Sequence, residues 1–333
     1  MAEYKGIKGF KVQSLASDPP VGIEGQVWYN TAGYALKYTA KLGAWSSAAV
    51  LLTDVYTAGF AGIQTAGILF GGDARTAGPP QIATTQIYDG TSWTVGNDMV
   101  DTTKHQASAG TSTAALSICG FHPGSKLCES YNGTSWTDSA STNTARSYAG
   151  GGGIQTAALT YGGPQLNPGM HAATEQWNAT SWTAVANLNT PTSLGCGDGT
   201  TTSSLYCGGY QNGGTLGTTK TETWDGTSWT ENTGALNQAT IDMGGAGNAT
   251  LFLSFGGNIP PPSPTPGKTS TTEEWNGTSW TELGDMATAR SFYNAGGGTT
   301  TTAIGCGGEP NDLTGSLVEE WNVAPATKTV TTS

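Results

Sequence analysis

Tyr131-Asn-Gly-Thr-Ser-Trp136-Thr137 is the stretch on which the fold turns, because it returns nearly letter for letter at residues 88–94, 177–183, 224–230 and 275–281. Glu320-Trp321-Asn322 begins a further copy that breaks off. The first aromatics stand at 88, 131, 177, 224, 275 and 321, with intervals of 43, 46, 47, 51 and 46 residues. A period of that length marks an array of supersecondary units, none able to bury its own core alone. In four of the five full copies, Asn-Gly or Asp-Gly supplies the positive φ angles of a tight hairpin, and Thr-Ser adds local hydrogen bonds. The flanking aromatics then face each other across the ladder: Tyr88 and Trp93, Tyr131 and Trp136, Trp177 and Trp182, Trp224 and Trp229, Trp275 and Trp280, with Trp321 single in the last unit. Such pairs, covered by the neighbouring unit, give a small sheet its core.

Outward from the hairpin, the third unit shows the rest of the pattern. A first strand carries Gly150-Gly-Gly-Gly153, a second ends in Tyr161-Gly162-Gly163, a third ends at Trp177 and a fourth starts at Trp182. The first strand, crowded with Gly and Ala, suits an innermost position where backbones converge on an axis. The closing Gly pair recurs as Gly71-Gly72, Gly208-Gly209, Gly256-Gly257 and Gly307-Gly308, and permits a backbone conformation closed to other residues. Residues 1–50 fall outside the repeat count. There, Gly25 to Tyr38 predicts two short strands around an Asn/Gly turn, and Gly43-Ala-Trp45-Ser-Ser predicts a third. The expected organisation is an amino-terminal β segment for anchoring and assembly, 1–50, followed by a repeat domain, 51–333. The last unit lacks its second Trp, so its fourth strand must come from 326–332 (ATKTVTT) or from 45–51. The first is expected, since it completes every unit without the amino segment.

Composition agrees with an all-β class rich in tight turns: 36% apolar residues, 11% charged and 50 Gly, with Val, Thr, Trp and Tyr in short runs. Disordered chains are poor in aromatics, whereas 11 Trp and 12 Tyr supply core material here. The net charge of −11 comes from 24 acids against 13 scattered Lys and Arg. Phosphate binding needs concentrated cations, so nucleic acid is not an expected partner. No apolar run approaches the roughly 20 residues of a membrane span, and the amino terminus has no signal-peptide core, so neither insertion nor a signal peptide is expected. The five Cys form no disulfide framework or zinc pattern. Cys207 and Cys306 fill the slot of Phe70, Tyr161 and Phe255, Cys119 replaces the first Gly of a pair, and Cys128 and Cys196 fall in strands. Reduced packing thiols are expected at all of them.

A Gly pair closing the second strand, then an aromatic and a Trp across a hairpin, resembles the kelch repeat of β-propellers over residues 54–325. The resemblance implies a six-bladed propeller of four-stranded antiparallel blades. Cys119-Gly120 in place of Gly-Gly and the missing last Trp depart from it. A second resemblance spans nearly the whole chain. Lys11-Val-Gln-Ser-Leu-Ala-Ser-Asp-Pro-Pro20, Glu24-Gly-Gln-Val-Trp-Tyr-Asn30, the Gly-Thr-Ser-Trp repeats and Thr327-Lys-Thr-Val-Thr-Thr-Ser333 are similar to tail or appendage virion proteins of marine tailed phages. That implies a multicopy virion component, assembled in the host cytoplasm and extracellular in the released particle, which meets other virion proteins through residues 1–50.

Candidate chemistry is sparse. His105, His122 and His171 lie in different units without a ligand-type partner at i+2 or i+4, so no metal site is expected. No Gly-x-Ser-x-Gly elbow or His-Glu-x-x-His occurs, and no cofactor or catalytic residue is expected. Gly150–Gly153 and Gly195-Cys-Gly197-Asp-Gly199 recur in kind in every unit and precede strands, so they read as blade geometry instead of phosphate loops. Gln86, Glu129, Glu175, Glu222, Glu273 and Glu319 stand two residues before each first aromatic, on its face of the strand. Hydrogen bonds or ion pairs between units are expected of them, with Arg146, Arg290 or Lys104 as partners. Asn132, Asn178, Asn248 and Asn276 match the glycosylation pattern but read as turns.

The units differ most between the Gly pair and the third strand, at 73–82, 121–127, 164–172, 210–218, 258–269 and 309–315. These links and those joining units emerge on one face, and the hairpin tips on the other. Variable loops on a rigid scaffold are the usual seat of recognition. Arg75, His122, His171, Tyr210, Asn212, Asn258, Asn311 and Asp312 are the candidate contacts to a host-surface glycan or receptor, while residues 260–266 read as a stiff polyproline excursion. The expected function is non-enzymatic: a tail-fibre, baseplate or appendage protein displaying a loop face. One alternative is a structural decoration or filament subunit whose propeller packs against other virion proteins. The other is a polysaccharide-active enzyme, for which no convergent acid pair is found.

Overall fold

The computed structural model describes residues 12–19, 26–74, 81–121, 126–165, 169–170, 172–211, 216–292, 295–310 and 315–330. All regular structure among them is β, with no helix. The chain divides into a larger body, 45–321, and a smaller one made of 1–44 and 322–333.

The larger body contains five four-stranded antiparallel sheets in chain order. The second is representative, with strands Ala107–Thr111, Ala114–Ile118, Cys128–Tyr131 and Trp136–Ser139. The first strands of the five sheets are Gly59–Ile63, Ala107–Thr111, Gly150–Ile154, Cys196–Thr200 and Gly244–Gly247, and each touches the next. Gly296–Gly298 stands between the last and the first of these strands. The result is a propeller-like arrangement of four-stranded blades around an axis.

The core lies between sheets. Leu116, Ile118 and Cys128 of the second sheet pack with Trp177 and Trp182 of the third. Phe70 packs with Tyr131 and Trp136, Tyr161 with Trp224 and Trp229, and Leu205 with Trp275 and Trp280. All eleven hairpin aromatics are buried. Their polar tips follow a rule. First-slot Trp177, Trp224, Trp275 and Trp321 donate Nε1–H to carbonyls near the tip of their own inner hairpin, Gln155, Thr201, Ala249 and Thr300. Second-slot Trp136, Trp229 and Trp280 donate instead to a third-strand hydroxyl of the preceding sheet, Thr85, Thr174 and Thr221. Where that preceding residue is Cys128 or Val318, which offers no such acceptor, Trp182 and Trp93 turn to the carbonyls of Ala140 and Ala49.

The acidic ring ties each sheet to the link that precedes it. Backbone N–H groups of Leu52, Val100, Asn143, Asn189, Asn237 and Ala287 donate to Gln86, Glu129, Glu175, Glu222, Glu273 and Glu319 at 2.7–2.9 Å. Arg146 and Arg290 add buried ion pairs with Glu175 (2.7 Å) and Glu319 (3.2 Å), whereas Lys104 pairs with Asp73 (2.8 Å). The electrostatics follow. Burial raises the carboxyls of Glu129 and Glu273, which have no arginine. At Glu175 burial is outweighed by the Asn143 N–H and the Arg146 charge, and its pKa falls.

Several sequence expectations need correction. Residues 326–332 do not supply the strand beside the last Trp. Val318–Thr329 runs straight on as one strand, because Asn322-Val-Ala-Pro lacks the turn that would fold it back. The neighbour of its first residues is the end of Ala35–Ser47. Ala48 N donates to Val318 O at 2.9 Å, and Trp45 takes a second-slot position, 5.7 Å from Trp321 between ring centroids, with Nε1–H donated to Thr272 Oγ1 at 2.8 Å. The third amino-terminal strand is thus a continuation of the second. In the hairpin tips, only the second residue takes positive φ, 90–99° at the Gly and 73° at Ala179, while Asn or Asp accepts the N–H groups of the following Thr and Ser, as Asn132 does at 2.9 Å. Residues 260–266 form a turn, closed by Ser263 N to Pro260 O at 3.3 Å, because Asn258–Ile259 and Gly267–Lys268 pair antiparallel and the chain must reverse between them.

In the smaller body, Gln13–Leu15 runs parallel to Val27–Asn30, which pairs antiparallel with the start of Ala35–Ser47. Asp18 holds it by accepting from Asn30 Nδ2 and Lys37 Nζ, each at 2.7 Å, and from Trp28 Nε1 at 3.1 Å.

Candidate functional site

The links entering the innermost strands form a belt around the axis on the variable-loop face. Thr57, His105, Tyr148, Leu194 and Asp242 each precede an innermost strand by two residues, and each has a left-handed backbone, with φ of 61°, 54°, 52°, 59° and 57°. That conformation turns the peptide groups along the circumference. His105 N donates to Thr57 O, Tyr148 N to His105 O, Leu194 N to Tyr148 O, Asp242 N to Leu194 O and Phe292 N to Asp242 O, at 2.8–3.1 Å. Five non-Gly residues in a sparsely populated region cost of order 1 kcal/mol or more each, and such outliers cluster at functional sites.

The belt carries the most perturbed groups of this face. The His105 and Tyr148 rings lie 3.9 Å apart between centroids. Burial, with the Lys104 charge second, pushes the His105 imidazole down to about 3, so it is neutral and holds a donor and an acceptor. Burial and then the charges of Asp242 and Asp73 raise the phenol of Tyr148, and burial with Asp242 raises that of Tyr210. Asp73, Lys104, His105, Tyr148, Tyr210 and Asp242 therefore form one electrostatically connected cluster, in which Asp73, His105 and Asp242 are buried and Lys104, Tyr148 and Tyr210 are partly exposed.

Of the sequence-derived contacts, Tyr210 and Asn258 are half-buried and open the loops that follow the Gly pairs. Each exchanges two backbone hydrogen bonds with a link: Tyr210 with Ser193 (2.7 and 3.1 Å), and Asn258 with Ile241 (2.8 and 2.9 Å). Arg75, His122, His171, Asn212, Asn311 and Asp312 lie outside the described residues. Sequence reasoning missed Asp73, Tyr148 and Asp242, and counted His105 only as a lone histidine. Their common repeat position, two residues before each Gly-rich strand, is the signal that finds all but Asp73.

Deeper along the axis lies a cavity of about 70 Å³ lined by the innermost strands. Its lining is Gly and Ala with Phe60, Ser108 and one carboxylate, Asp198. None of the acids of the third strands reaches it. Asp198 retains some exposure, through the narrow axial space, yet protein surrounds it, and burial pushes its carboxyl up to about 7 against the N–H groups of Gly199 and Gly247.

Fold and belt together define a propeller-like repeat protein with a belt of strained links around its axis. The solved structure of YjhT is similar to it, with a TM-score of 0.66 at 11% identity over 83% of this chain and 99% of that one. At that identity the likeness shows the fold alone. No protein-family model and no curated protein matches the chain.

Proposed function

We propose that the protein is a non-enzymatic component of a phage virion, a tail-fibre, baseplate or appendage protein whose propeller presents its loop face to a glycan or receptor on the host surface. The observation that carries the reading is the belt, where Tyr148, the neutral His105 imidazole and the Asp242 carboxylate are held by strained backbone on the face where the units differ. Aromatic faces beside hydrogen-bonding groups suit a polyhydroxylated ligand.

The propeller itself is read as six-bladed and kelch-like. Gly296–Gly298, Thr302–Cys306, the start of Val318–Thr329 and Trp45 to Ser47 make the sixth blade. Trp45 keeping the second-slot indole bond supports that count. Residues ahead of Trp45 serve assembly with other virion proteins. Val27 opposite Tyr38 and Tyr29 opposite Leu36 put apolar side chains on one sheet face, and Val27, Tyr29 and Tyr38 are exposed there.

The test is adsorption of purified protein to host cells. Tyr148→Ala and Tyr210→Ala should weaken it at least about tenfold if they are recognition hot spots, while Thr91→Ala and Thr227→Ala at hairpin tips should not. Equal binding by all four variants would sink the loop-face reading. Release of reducing sugar from host glycans would make the protein an enzyme instead.

A further inference from the structure

Asp198 breaks the symmetry of the axis in a way that loop-face recognition leaves unused. It stands one residue before the left-handed Gly199, and the equivalent positions before Gly62, Gly110, Gly153, Gly247 and Gly298 are Ala61, Ala109, Gly152, Ala246 and Gly297. Five positions are thus reduced to Ala or Gly, and the remaining one carries a carboxylate. The neighbouring strand makes room for it, since a Cβ on Gly152 would come within 3.0 Å of Asp198 Oδ1.

Among the residues lining the cavity, Asp198 is the only ionisable one, and no cationic side chain lines it. Two backbone donors reach the carboxylate, Gly199 N at 2.7 Å and Gly247 N at 3.4 Å, the second long. A carboxylate has about four acceptor positions, so its charge is only partly met. The walls offer the complement. Each innermost strand pairs with one neighbour in its sheet, which leaves both N–H and carbonyl groups of its other edge unused by that sheet, so carbonyl oxygens stand among the axial groups beside N–H groups such as those that reach Asp198. A carboxylate among backbone carbonyls, in space for a few waters, is an oxygen donor set of the kind hard divalent cations take.

We propose that the axial cavity binds a divalent cation of calcium's class, held by the Asp198 carboxylate and backbone oxygens of the innermost strands. The site is independent of the loop-face reading, and either stands without the other.

The experiment titrates calcium chloride into the full chain at pH 8, with calorimetry for binding and thermal unfolding for linkage. Wild type should bind one ion saturably and melt at higher temperature with added calcium. Asp198→Asn, nearly isosteric, should weaken binding at least as much as the about tenfold typical of losing an outer-shell partner. Asp198→Ala installs the residue that Ala61, Ala109 and Ala246 already represent, so it should fold and show no saturable binding. Absence of saturable binding by wild type up to about 10 mM, beyond the weakest extracellular calcium modules, overturns the proposal. So does an equal response from Asp198→Ala, which would place the ion on surface carboxylates.

Discussion

Ala179 occupies the hairpin position held elsewhere by Gly90, Gly133, Gly226 and Gly277, and it keeps their left-handed backbone at φ 73°. An L-residue there costs about 1–2 kcal/mol, of which Gly forfeits about 0.5–1 through its looser unfolded chain. Ala179→Gly should therefore stabilise the protein by up to about 1 kcal/mol, seen as a higher urea midpoint at unchanged slope. A lower midpoint would mean that the alanine makes a contact the φ angle does not reveal. His105 gives the pH counterpart. Its folded value of about 3 lies below the ordinary 6.5, so the folded state binds fewer protons than the unfolded one between those values. Its contribution to stability is complete above pH 6.5 and is lost as pH falls toward 3. His105→Asn, a residue that tolerates the left-handed region, should flatten this limb. Urea unfolding at intervals from pH 3.5 to 7 checks it, and an unchanged slope in the variant would assign the acid limb to other groups.

At the scale of strands, the decisive element is the short end of Ala35–Ser47 that carries Trp45. Trp45 touches Phe255 at 4.8 Å and Trp321 at 5.7 Å between centroids, so its loss removes packing from two sheets at once. A chain lacking residues 1–44 should keep the cooperative unfolding of the larger body, whereas one lacking 1–50 should lose it, and Trp45→Ala, at a partly buried position, should cost less than the about 3–5 kcal/mol of a fully buried tryptophan. Near-ultraviolet circular dichroism and urea unfolding distinguish them. If the shorter deletion also melts the body, the smaller one contributes stability that this packing does not predict. The hairpins, the four-strand pattern and the acidic ties between units were legible in sequence because each is local or repeats in register. The partner of Val318–Thr329 was not, since it joins distant segments and both candidates are short β-prone runs. Only the filled second-slot indole position separates them, and that is a tertiary fact.

For the whole molecule, the site was half legible. The variable links pointed to the face that also carries the belt, but attention to the segments after the Gly pairs passed over the positions two residues before each innermost strand, where His105, Tyr148 and Asp242 sit. The Gly-rich strands hid Asp198 for a related reason: read singly, Gly197-Asp-Gly199 is more blade geometry, and only its alignment with Ala and Gly in the other units exposes the odd charge. The same sharing of surfaces between units makes a prediction about unfolding. Cys119 and Cys128 lie in one inter-sheet core, Cys196 and Cys207 in another and Cys306 in a third, all buried and unpaired as disulfides. If each sheet depends on both neighbours, as in a ring and unlike an open array whose ends can fray, none of these cores can open alone. Pulse labelling with a thiol reagent across a urea gradient, read by mass for each cysteine, should then give all five the same midpoint, coincident with the loss of tryptophan near-ultraviolet signal. Separate midpoints for the three cores would show that the sheets open one by one and that closure contributes little to the stability of the larger body.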